Sequence, residues 1–443
     1  MQKLDFPADF LWGTATASYQ VEGAGHEGGR SESIWDTFAR KPGAVYGGES
    51  GEIACDQYHR YKEDIALMAE LGFKSYRFSL AWPRIIPEGT GKVNPQGIAY
   101  YRAICEELHK YGIKACATIY HWDLPQSLQD KGGWTERFIT EAFVEYAKVC
   151  FAELGDLVDQ WITINEPYCI AYLGYHLGVH APGIQDIQAA IKAVHHVNLA
   201  HGLAVKAYRK TGLKAPIGIT LNPSTPRPAT ARREDKKAAE TARAVETEVF
   251  IYPILGKGYP ELVTKKLGLV IPVKDGDLET IAQKIDFIGI NYYAEYPVAF
   301  DKKEPFKYGA KPSWQDTSDM GWPLVPEGLA RQLRWIGAVS GGLPLYITEN
   351  GYARQDYVEK DGRVHDRERI KYLKQHLKVC SDLIKEGVKL QGYFAWSFMD
   401  NFEWAWGYSK RFGIVHVDYI TQKRTPKDSA YFFRDLIAGY GEG

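Results

Sequence analysis

Gln160-Trp161-Ile162-Thr163-Ile164-Asn165 is a run of mostly apolar and β-branched side chains that ends directly before Glu166-Pro167. A short, nearly continuous apolar run of this kind is typical of a parallel strand that is buried on both faces. Stretches with the apolar spacing of amphipathic helices flank it at residues 137–154 and 186–211. The pattern therefore predicts a strand between two helices, as in a right-handed βα unit.

The same alternation recurs along the whole chain, with amphipathic stretches such as 61–71 and 97–111 between the apolar runs. Eight such units in 443 residues favour a single (β/α)8 TIM barrel of the α/β class, spanning residues 1–443 as one domain. A doubly wound sheet is the alternative, although such a sheet usually needs fewer strands. The extra length is predicted to lie in elaborated βα loops, notably 18–57 and 292–326. The eight runs lie at residues 11–17, 74–80, 114–120, 160–165, 216–222, 286–291, 344–349 and 390–396.

Composition and charge argue against several other classes of protein. The 54 Lys and Arg nearly balance the 55 Asp and Glu, so the basic surface expected of a nucleic-acid or anionic-membrane binder is missing. The sequence contains no run of 18 apolar residues, and its start lacks the apolar core of a signal peptide, so we expect a cytoplasmic protein that does not span a membrane. The six dispersed cysteines are expected to be small buried hydrophobes, and neither a metal nor a cofactor is predicted.

The active site of such a barrel forms at the carboxyl ends of the strands, so the residues that end each run are the candidates. Glu166 follows the fourth run and Glu349 ends the seventh, three strands apart around the ring, so their side chains can face each other across the mouth. One glutamate at a strand end is more often a structural ion-pair partner, but two facing each other favour cleavage of a glycosidic bond. Polar and aromatic residues collect at the other strand ends: Gln20, Arg77, His121, Trp122, Asn165, Asn291, Tyr293 and Trp396.

These residues also resemble a known family, the retaining β-glucosidases of glycoside hydrolase family 1. The resemblance covers essentially the whole chain and implies a (β/α)8 fold and a β-glucosidase activity. Four motifs in the right order make chance agreement negligible. They are Tyr120-His121-Trp122-Asp123-Leu124-Pro125, Asn165-Glu166-Pro167, Thr348-Glu349-Asn350-Gly351 and Met399-Asp400-Asn401-Phe402-Glu403-Trp404.

By this resemblance, Glu349 is expected to be the nucleophile that forms a covalent glycosyl-enzyme. Glu166 is expected to protonate the leaving oxygen and then to act as base on the incoming water. Arg77 and Tyr293 would keep Glu349 ionised, and Asn165 would hold the sugar 2-hydroxyl. Retention of configuration requires carboxyl groups about 5–5.5 Å apart, so at this stage the stereochemistry follows from the family alone.

The resemblance also implies a set of substrate-binding residues. Donors and acceptors would match the hydroxyl rim of a pyranose, and the ring of Trp396 would lie under an apolar face of the sugar. Trp322 resembles a platform for the aglycone, the part of the substrate that leaves, but a loop tryptophan can equally be packing. The set is Gln20, His121, Trp122, Asn165, Asn291, Tyr293, Trp322, Trp396, Glu403, Trp404 and Phe412.

Several alternatives remain open at this stage. Some members of the family cleave 6-phosphorylated β-glucosides, and Lys410 and Arg411 keep that function possible, although a carboxylate at Glu403 would repel a phosphate. The chain could also be an inactive sugar-binding barrel. His121 could be a core histidine or, less plausibly, a metal ligand together with Asp123.

The predicted substrates are small glycosides. We expect glucose-releasing action on cellobiose and short β-gluco-oligosaccharides, in keeping with a role in cellulose degradation, and side activity on β-galactosides or β-fucosides. Transfer of the glycosyl group to another sugar is possible, and nothing in the sequence sets its share. The aglycone is the least determined part of the substrate, because Ala294 and Pro323 depart from the family pattern near its entrance.

Overall fold

The structure, a computed structural model, describes residues 4–313 and 315–439. Its strands are numbered along the chain. They are β1 (Leu11–Ala15), β2 (Ser75–Ser79), β3 (Lys114–Tyr120), β4 (Gln160–Asn165), β5 (Ile217–Leu221), β6 (Phe287–Asn291), β7 (Val298–Phe300), β8 (Tyr308–Ala310), β9 (Leu345–Asn350), β10 (Leu390–Trp396), β11 (Val415–Val417) and β12 (Arg424–Pro426).

Eight of these strands close into a barrel in the order β1-β10-β9-β6-β5-β4-β3-β2. Every neighbouring pair in the ring is parallel, including β1 with β10, which closes it. The apolar runs predicted from the sequence match these strands to within two residues at either end. The predicted (β/α)8 barrel is therefore confirmed, and β4 and β9 lie three strands apart, as expected.

Helices follow the strands and pack around the barrel. The α-helices are α1 (Ser18–Val21), α2 (Ile34–Ala39), α3 (Gln57–Glu70), α4 (Trp82–Ile85), α5 (Pro95–Lys110), α6 (Gln126–Gln129), α7 (Phe138–Leu154), α8 (Ile187–Thr211), α9 (Arg233–Arg243), α10 (Val249–Ile254), α11 (Asp277–Ile281), α12 (Pro326–Val339), α13 (Arg367–Lys385) and α14 (Asp428–Ile437). Short 3₁₀ turns cover Tyr46–Gly48, Gly133–Thr135 and Trp404–Trp406, and π-helical turns cover Cys169–Leu173, Ala244–Glu248 and Leu262–Lys266.

Local sequence explains where the long helices begin and end. The side chain of Asn94 accepts a hydrogen bond from Gln96 N at 3.2 Å, and Pro95 suits the first turn of α5 because it has no N–H to satisfy. Asp186 caps α8 in the same way, and Gly212, with a φ of +78°, ends it. The amphipathic stretches predicted at 97–111 and 186–211 therefore match α5 and α8 closely.

The loops that follow the strands carry the extra length. The loops after β1 and β6 are long, as predicted. The first contains α1 and α2, and the second contains the antiparallel hairpin of β7 and β8, elements that the sequence did not predict. A further long segment follows β10 and contains the hairpin of β11 and β12, which the sequence did not single out. Within the described ranges, no helix is long and apolar enough to cross a membrane.

Candidate active site

The predicted site residues lie at the carboxyl ends of the barrel strands, where their side chains converge. Arg77 lies on β2, Asn165 ends β4, Asn291 ends β6 and Glu349 lies on β9. Direct hydrogen bonds join these side chains, even though Arg77 and Glu349 are 272 positions apart in the sequence. The barrel thus assembles one polar cluster from distant residues.

Glu166 follows β4 directly and is 6% exposed. Its φ of +48° lies in the left-handed region that residues other than glycine rarely adopt. A hydrogen bond from its N–H to the carbonyl of Thr220 on β5, 2.9 Å long, holds this turn. Its carboxyl accepts from Asn291 Nδ2 at 2.6 Å on Oε1 and from Cys169 Sγ at 2.9 Å on Oε2. Both of these donors, an amide and a thiol, are uncharged.

Glu349 is also buried, but its partners differ. Arg77 Nη1 lies 2.7 Å from Oε1, and the Tyr293 hydroxyl donates to Oε2 at 2.6 Å. Arg77 is fully buried and also donates from Nη2 to Asn165 Oδ1 at 2.7 Å and from Nε to Thr118 Oγ1 at 3.1 Å. A guanidinium in contact stabilises the ionised form of Glu349 through both charge and hydrogen bonding.

Two asparagine side chains connect the carboxyl groups. Asn291 Nδ2 donates to Asn165 Oδ1 at 3.1 Å as well as to Glu166, and its Oδ1 accepts from the hydroxyl of Thr348 at 2.8 Å. Because Thr348 pairs with the amide oxygen, the NH₂ group of Asn291 must face Glu166. The whole arrangement fixes the side chains before any ligand binds.

Burial raises the pKa of both carboxyl groups, and their different hydrogen-bond and charge partners make the two pKa values unequal. For Glu166, burial and next the negative charge of Glu349 raise the pKa to about 7. For Glu349, burial raises the pKa, while the charge of Arg77 and the hydrogen bond from Tyr293 oppose the rise. Two interacting carboxyl groups share their protons, and Arg77 makes Glu349 the one that ionises first. The remaining proton therefore resides on Glu166.

The pocket beside the carboxyl groups contains two buried polar atoms that have no partner among the described residues. Asn165 uses its oxygen to accept from Arg77, so its NH₂ donates to His121 Nε2 at 3.0 Å. The proton of the imidazole then lies on Nδ1, which is the first of the two atoms. The second is Oε1 of Gln20, whose Nε2 donates to the carbonyl of Phe402 at 2.8 Å. One unpaired donor and one unpaired acceptor are suited to a ligand rich in hydroxyl groups.

Aromatic rings form a wall of this pocket. The ring centroids of Trp122 and Trp404 are 4.6 Å apart. His121 stacks at 6.0 Å on Trp396, which ends β10, and at 6.0 Å on Trp404. Burial and then the charge of Arg77 hold the pKa of His121 well below its ordinary value, so the imidazole is neutral. The flat apolar rings match the apolar face of a pyranose, and the unpaired polar atoms beside them match its hydroxyl rim.

Glu403 adds a third carboxyl group to the pocket. It is 8% exposed, and Gln20 Nε2 lies 3.5 Å from its Oε2. Burial, followed by the charges of Glu349 and Glu166, raises the pKa of Glu403 to about 8. The group is therefore largely protonated at neutral pH and can both donate to and accept from a hydroxyl.

Trp322 and Phe412 both contact the ring of Tyr293, with centroids 5.2 and 5.6 Å away. Trp322 keeps part of its ring exposed, whereas Phe412 is 2% exposed. Of the two predicted substrate-binding residues, Trp322 is therefore the better placed to touch a ligand directly, and Phe412 supports Tyr293 and Trp322 by packing.

The sequence missed several residues that contact the cluster, among them Cys169, Thr348 and Thr118, which accepts from Arg77 Nε at 3.1 Å. All six cysteines lie within the described residues and are buried, as predicted, but Cys169 is more than a small hydrophobe because it donates to Glu166. Its position three residues after Glu166, within reach across one helical turn, was the available signal. Thr348 orients Asn291, and its place directly before Glu349 on β9 was the corresponding signal.

The cations near Glu403 are engaged elsewhere. Arg411 Nη1 donates to Asp400 Oδ2 at 2.7 Å and to the carbonyl of Val417 at 2.9 Å. Lys410 Nζ donates to the carbonyl of Asp319 at 2.7 Å. Neither cation pairs with Glu403 among these contacts, which weakens the prediction of a phosphate site there.

No group of three or more His, Cys, Asp or Glu side chains within residues 4–313 and 315–439 is arranged to hold a metal ion.

Cleavage of a glycosidic bond requires one carboxyl group that is protonated and one that is ionised. The two carboxyl groups at the mouth of this barrel meet that requirement, which places the protein in the class of glycoside hydrolases. The family model described as glycosyl hydrolase family 1 matches residues 2–442, so the chain belongs to that family. The family predicted from the sequence is confirmed.

Relatives whose names or structures are known match this chain over its full length. Beta-glucosidase A of Acetivibrio thermocellus is 45% identical, with 100% of each chain covered. The solved structure of the AHE enzyme from Alicyclobacillus herbarius is 50% identical, with 99% of each chain covered and a TM-score of 0.96. The structure described as a family 1 β-glucosidase from Thermotoga maritima in complex with isofagomine lactam is 47% identical, with 99% of this chain and 100% of that chain covered and a TM-score of 0.96.

Proposed function

We propose that the chain is a retaining β-glucosidase that removes terminal non-reducing β-D-glucosyl residues from small glycosides and β-gluco-oligosaccharides such as cellobiose. The observation that carries the proposal is the unequal pair of buried carboxyl groups, Glu349 beside a guanidinium and Glu166 beside uncharged donors. Relatives that match over the full chain are named β-glucosidases, which supports the same activity.

In the first half of the reaction, Glu349 acts as the nucleophile. Its carboxylate forms a bond to the anomeric carbon while the bond from that carbon to the glycosidic oxygen breaks. Glu166 transfers its proton to the leaving oxygen, and the product is a covalent glycosyl-enzyme. Tyr293 and Arg77 bind the two oxygens of Glu349 and hold it in the orientation for attack.

In the second half, Glu166 acts as the base. It takes a proton from a water molecule whose oxygen attacks the anomeric carbon, and the carboxylate of Glu349 leaves. The pKa of Glu166 supports this change of role, because the negative charge of Glu349 that helps to raise it is absent in the glycosyl-enzyme. Loss of that charge lowers the pKa of Glu166, so the residue is ionised when a base is needed.

The pocket of Gln20, His121, Trp396, Glu403 and Trp404 binds the glucosyl ring. Gln20 Oε1 accepts from, and His121 Nδ1–H donates to, sugar hydroxyl groups, which satisfies the two unpaired atoms. A sugar that lacks the matching hydroxyl leaves these buried atoms unpaired, so the pocket discriminates between sugars. Trp122 completes the wall, Asn165 and Asn291 orient the reacting groups, and Trp322 contacts the aglycone, with Phe412 behind it.

A 6-phospho-β-glucosidase is the second candidate from the same family. Arg411 and Lys410 are the cations that would serve it, but they bind Asp400 and the carbonyl of Asp319. A phosphate near Glu403 would also meet a carboxyl group rather than a cation. The unphosphorylated substrate is therefore favoured.

The compartment of the protein is a further part of the proposal. We propose a cytoplasmic enzyme that acts on imported glycosides, and the six buried free thiols are compatible with a reducing compartment. A role in cellulose degradation then concerns soluble products such as cellobiose. Fractionation of the source cells with an antibody to the protein tests this location.

The activity is tested by kcat/KM on an aryl β-D-glucoside and on its 6-phospho counterpart, measured side by side. We expect strong preference for the plain glucoside, and NMR should show that the first-formed glucose is the β-anomer. Preference for the phosphorylated substrate would show that the second candidate function, 6-phospho-β-glucosidase, is the correct one. The α-anomer as first product would contradict the covalent mechanism, and no activity on either substrate would favour an inactive sugar-binding barrel.

A further inference from the structure

The two oxygens of the Glu166 carboxyl have different neighbours. Asn291 can only donate through its NH₂ group, because Thr348 donates to its oxygen at 2.8 Å. Oε1 of Glu166 must therefore remain an acceptor, so the proton of the acid form resides on Oε2. Oε2 is the oxygen that lies 2.9 Å from Cys169 Sγ. The thiol is thus next to the proton that the proposed mechanism transfers.

Cys169 is held in this position by its surroundings. It is the first residue of the π-helical turn Cys169–Leu173, and its N–H donates to the carbonyl of Glu166 at 3.0 Å. Asn222 Nδ2 approaches the sulfur at 3.4 Å and occupies it as an acceptor. The S–H bond is therefore free to point at Glu166. Burial raises the pKa of the thiol well above its usual range, so the sulfur keeps its proton throughout.

A thiol is both a weak donor and a weak acceptor, which suits a partner that changes its protonation state. When Glu166 is ionised, the thiol donates to Oε2. When Glu166 is protonated, the sulfur is a poor acceptor and does not retain the Oε2 proton against a glycosidic oxygen. A hydroxyl at this position would donate more strongly, and a methyl group would not donate at all.

We propose that Cys169 is a positioning residue for Glu166, which fixes the orientation of its carboxyl group and adjusts the balance between its acid and base forms. The proposal rests on the proposed role of Glu166 as acid and base. Cys169 acts through Glu166 and forms no bond to the substrate.

Other groups also influence the protonation of Glu166. Glu349 on β9 disfavours its ionised form and Arg77 on β2 favours it. Tyr293, which follows β6, and Glu403, which follows β10, also interact with it. A substitution at position 169 leaves these four side chains in place, so a change in pH dependence reports on the thiol.

The test compares Cys169→Val, Cys169→Ser and Cys380→Val by the pH dependence of kcat/KM with phenyl β-D-glucoside, whose leaving group needs an acid. We expect the descending limb at high pH to move up by about half a pH unit in Cys169→Val and down by a similar amount in Cys169→Ser. Cys380 is fully buried in α13, so Cys380→Val controls for the loss of a buried thiol and should leave the profile unchanged.

Two outcomes would overturn the proposal. One is a profile for Cys169→Val that matches the original enzyme, and the other is a shift of the Val and Ser variants in the same direction, which would indicate a packing effect. If Cys169→Val does not fold, Cys169→Ala replaces it with the same expectation. Failure of the proposed function is distinguishable, because the unaltered enzyme would then show no activity on the glucoside.

Discussion

Glu166 and Glu349 are chemically identical side chains whose neighbours give them different acidities. Glu349 is in contact with a guanidinium, and Glu166 is in contact with an amide and a thiol. Both are almost fully buried, so solvent screening does not cancel this difference in acidity. At the scale of single residues, the proposed division of labour between acid and nucleophile therefore follows from the placement of Arg77.

Replacement of Glu166 tests its role as acid. In Glu166→Gln, kcat/KM should fall about 10²–10⁴-fold for substrates with poor leaving groups such as phenyl β-D-glucoside. For 2,4-dinitrophenyl β-D-glucoside it should change little, because this leaving group departs without a proton. Steady-state kinetics over a series of aryl glucosides measures the difference, and equal losses across the series would contradict the assignment. Glu349→Ala should abolish turnover of every member of the series.

The pH dependence of the enzyme should reflect the same residue. Glu166 must be protonated to act as acid, and its raised pKa of about 7 means that kcat/KM falls as the pH rises above about 7. Glu403, with a pKa of about 8, could produce a similar descending limb. The two are separated by 2,4-dinitrophenyl β-D-glucoside, for which a limb due to Glu166 should disappear and one due to Glu403 should remain.

At the scale of secondary-structure elements, the turns that leave the strands orient the site. Trp122, Glu166 and Trp404 all have positive φ, of +78°, +48° and +48°. Conformations that cost energy persist where the surrounding structure fixes them, and they concentrate at functional sites. The predicted motifs around these residues are therefore needed for their backbone geometry as well as for their side chains.

Gly351, directly after β9, illustrates the tight contact between elements. A Cβ atom added there would lie 1.8 Å from the carbonyl oxygen of Trp396 at the end of β10. Gly351→Ala should therefore displace the ends of both strands, lower the free energy of unfolding by about 3 kcal/mol and reduce kcat/KM.

A matched control for this substitution lies in α12. Gly337 has open space around its Cβ position, so Gly337→Ala should stabilise the helix by up to about 1 kcal/mol and leave the kinetics unchanged. Urea unfolding and steady-state kinetics measure both variants. If Gly351→Ala left the free energy of unfolding and kcat/KM unchanged, the two strand ends could move apart without cost, and the prediction would be wrong.

At the scale of the whole molecule, the C-terminal segment supports the site. Lys427, next to α14, is fully buried and pairs with Asp356 at 2.6 Å and with Asp400 at 2.8 Å. Asp400 also binds Arg411, and its Oδ1 accepts from Gly413 N at 3.0 Å. These ion pairs tie the segment that carries Glu403 and Trp404 to the segments that follow β9 and precede α14.

Replacement of Lys427 tests whether these ion pairs support the site. Lys427→Met should lower the free energy of unfolding by about 3–5 kcal/mol, because Asp356 and Asp400 each lose a buried partner. It should also raise KM for the glucoside, because the loop with Glu403 loses its anchor. Lys423→Met, at an exposed position between β11 and β12, should do neither. Urea unfolding and Michaelis–Menten kinetics check the pair, and equal stability of both variants would contradict a supporting role.

The sequence pattern predicts the barrel, and the sequence motifs predict the family and most of the side chains that meet at the barrel mouth. Eight apolar runs became the eight barrel strands, since buried parallel strands require continuous apolar sequence. Because the active site of such a barrel forms at the carboxyl ends of its strands, the sequence also predicts Glu166, Glu349 and Arg77 as site residues.

The pairing of each hydrogen-bond donor with a particular oxygen follows from the folded arrangement of the strands and loops. Strand register and loop paths determine that Arg77 binds Glu349 and that Cys169 binds Glu166. They also determine that Lys410 binds the carbonyl of Asp319 and that Arg411 binds Asp400. Hydrogen bonds require placement to a few tenths of an ångström, and the apolar pattern of the sequence specifies burial without that precision. The acidities of the two glutamates, and with them the proposed mechanism, therefore arise from folding.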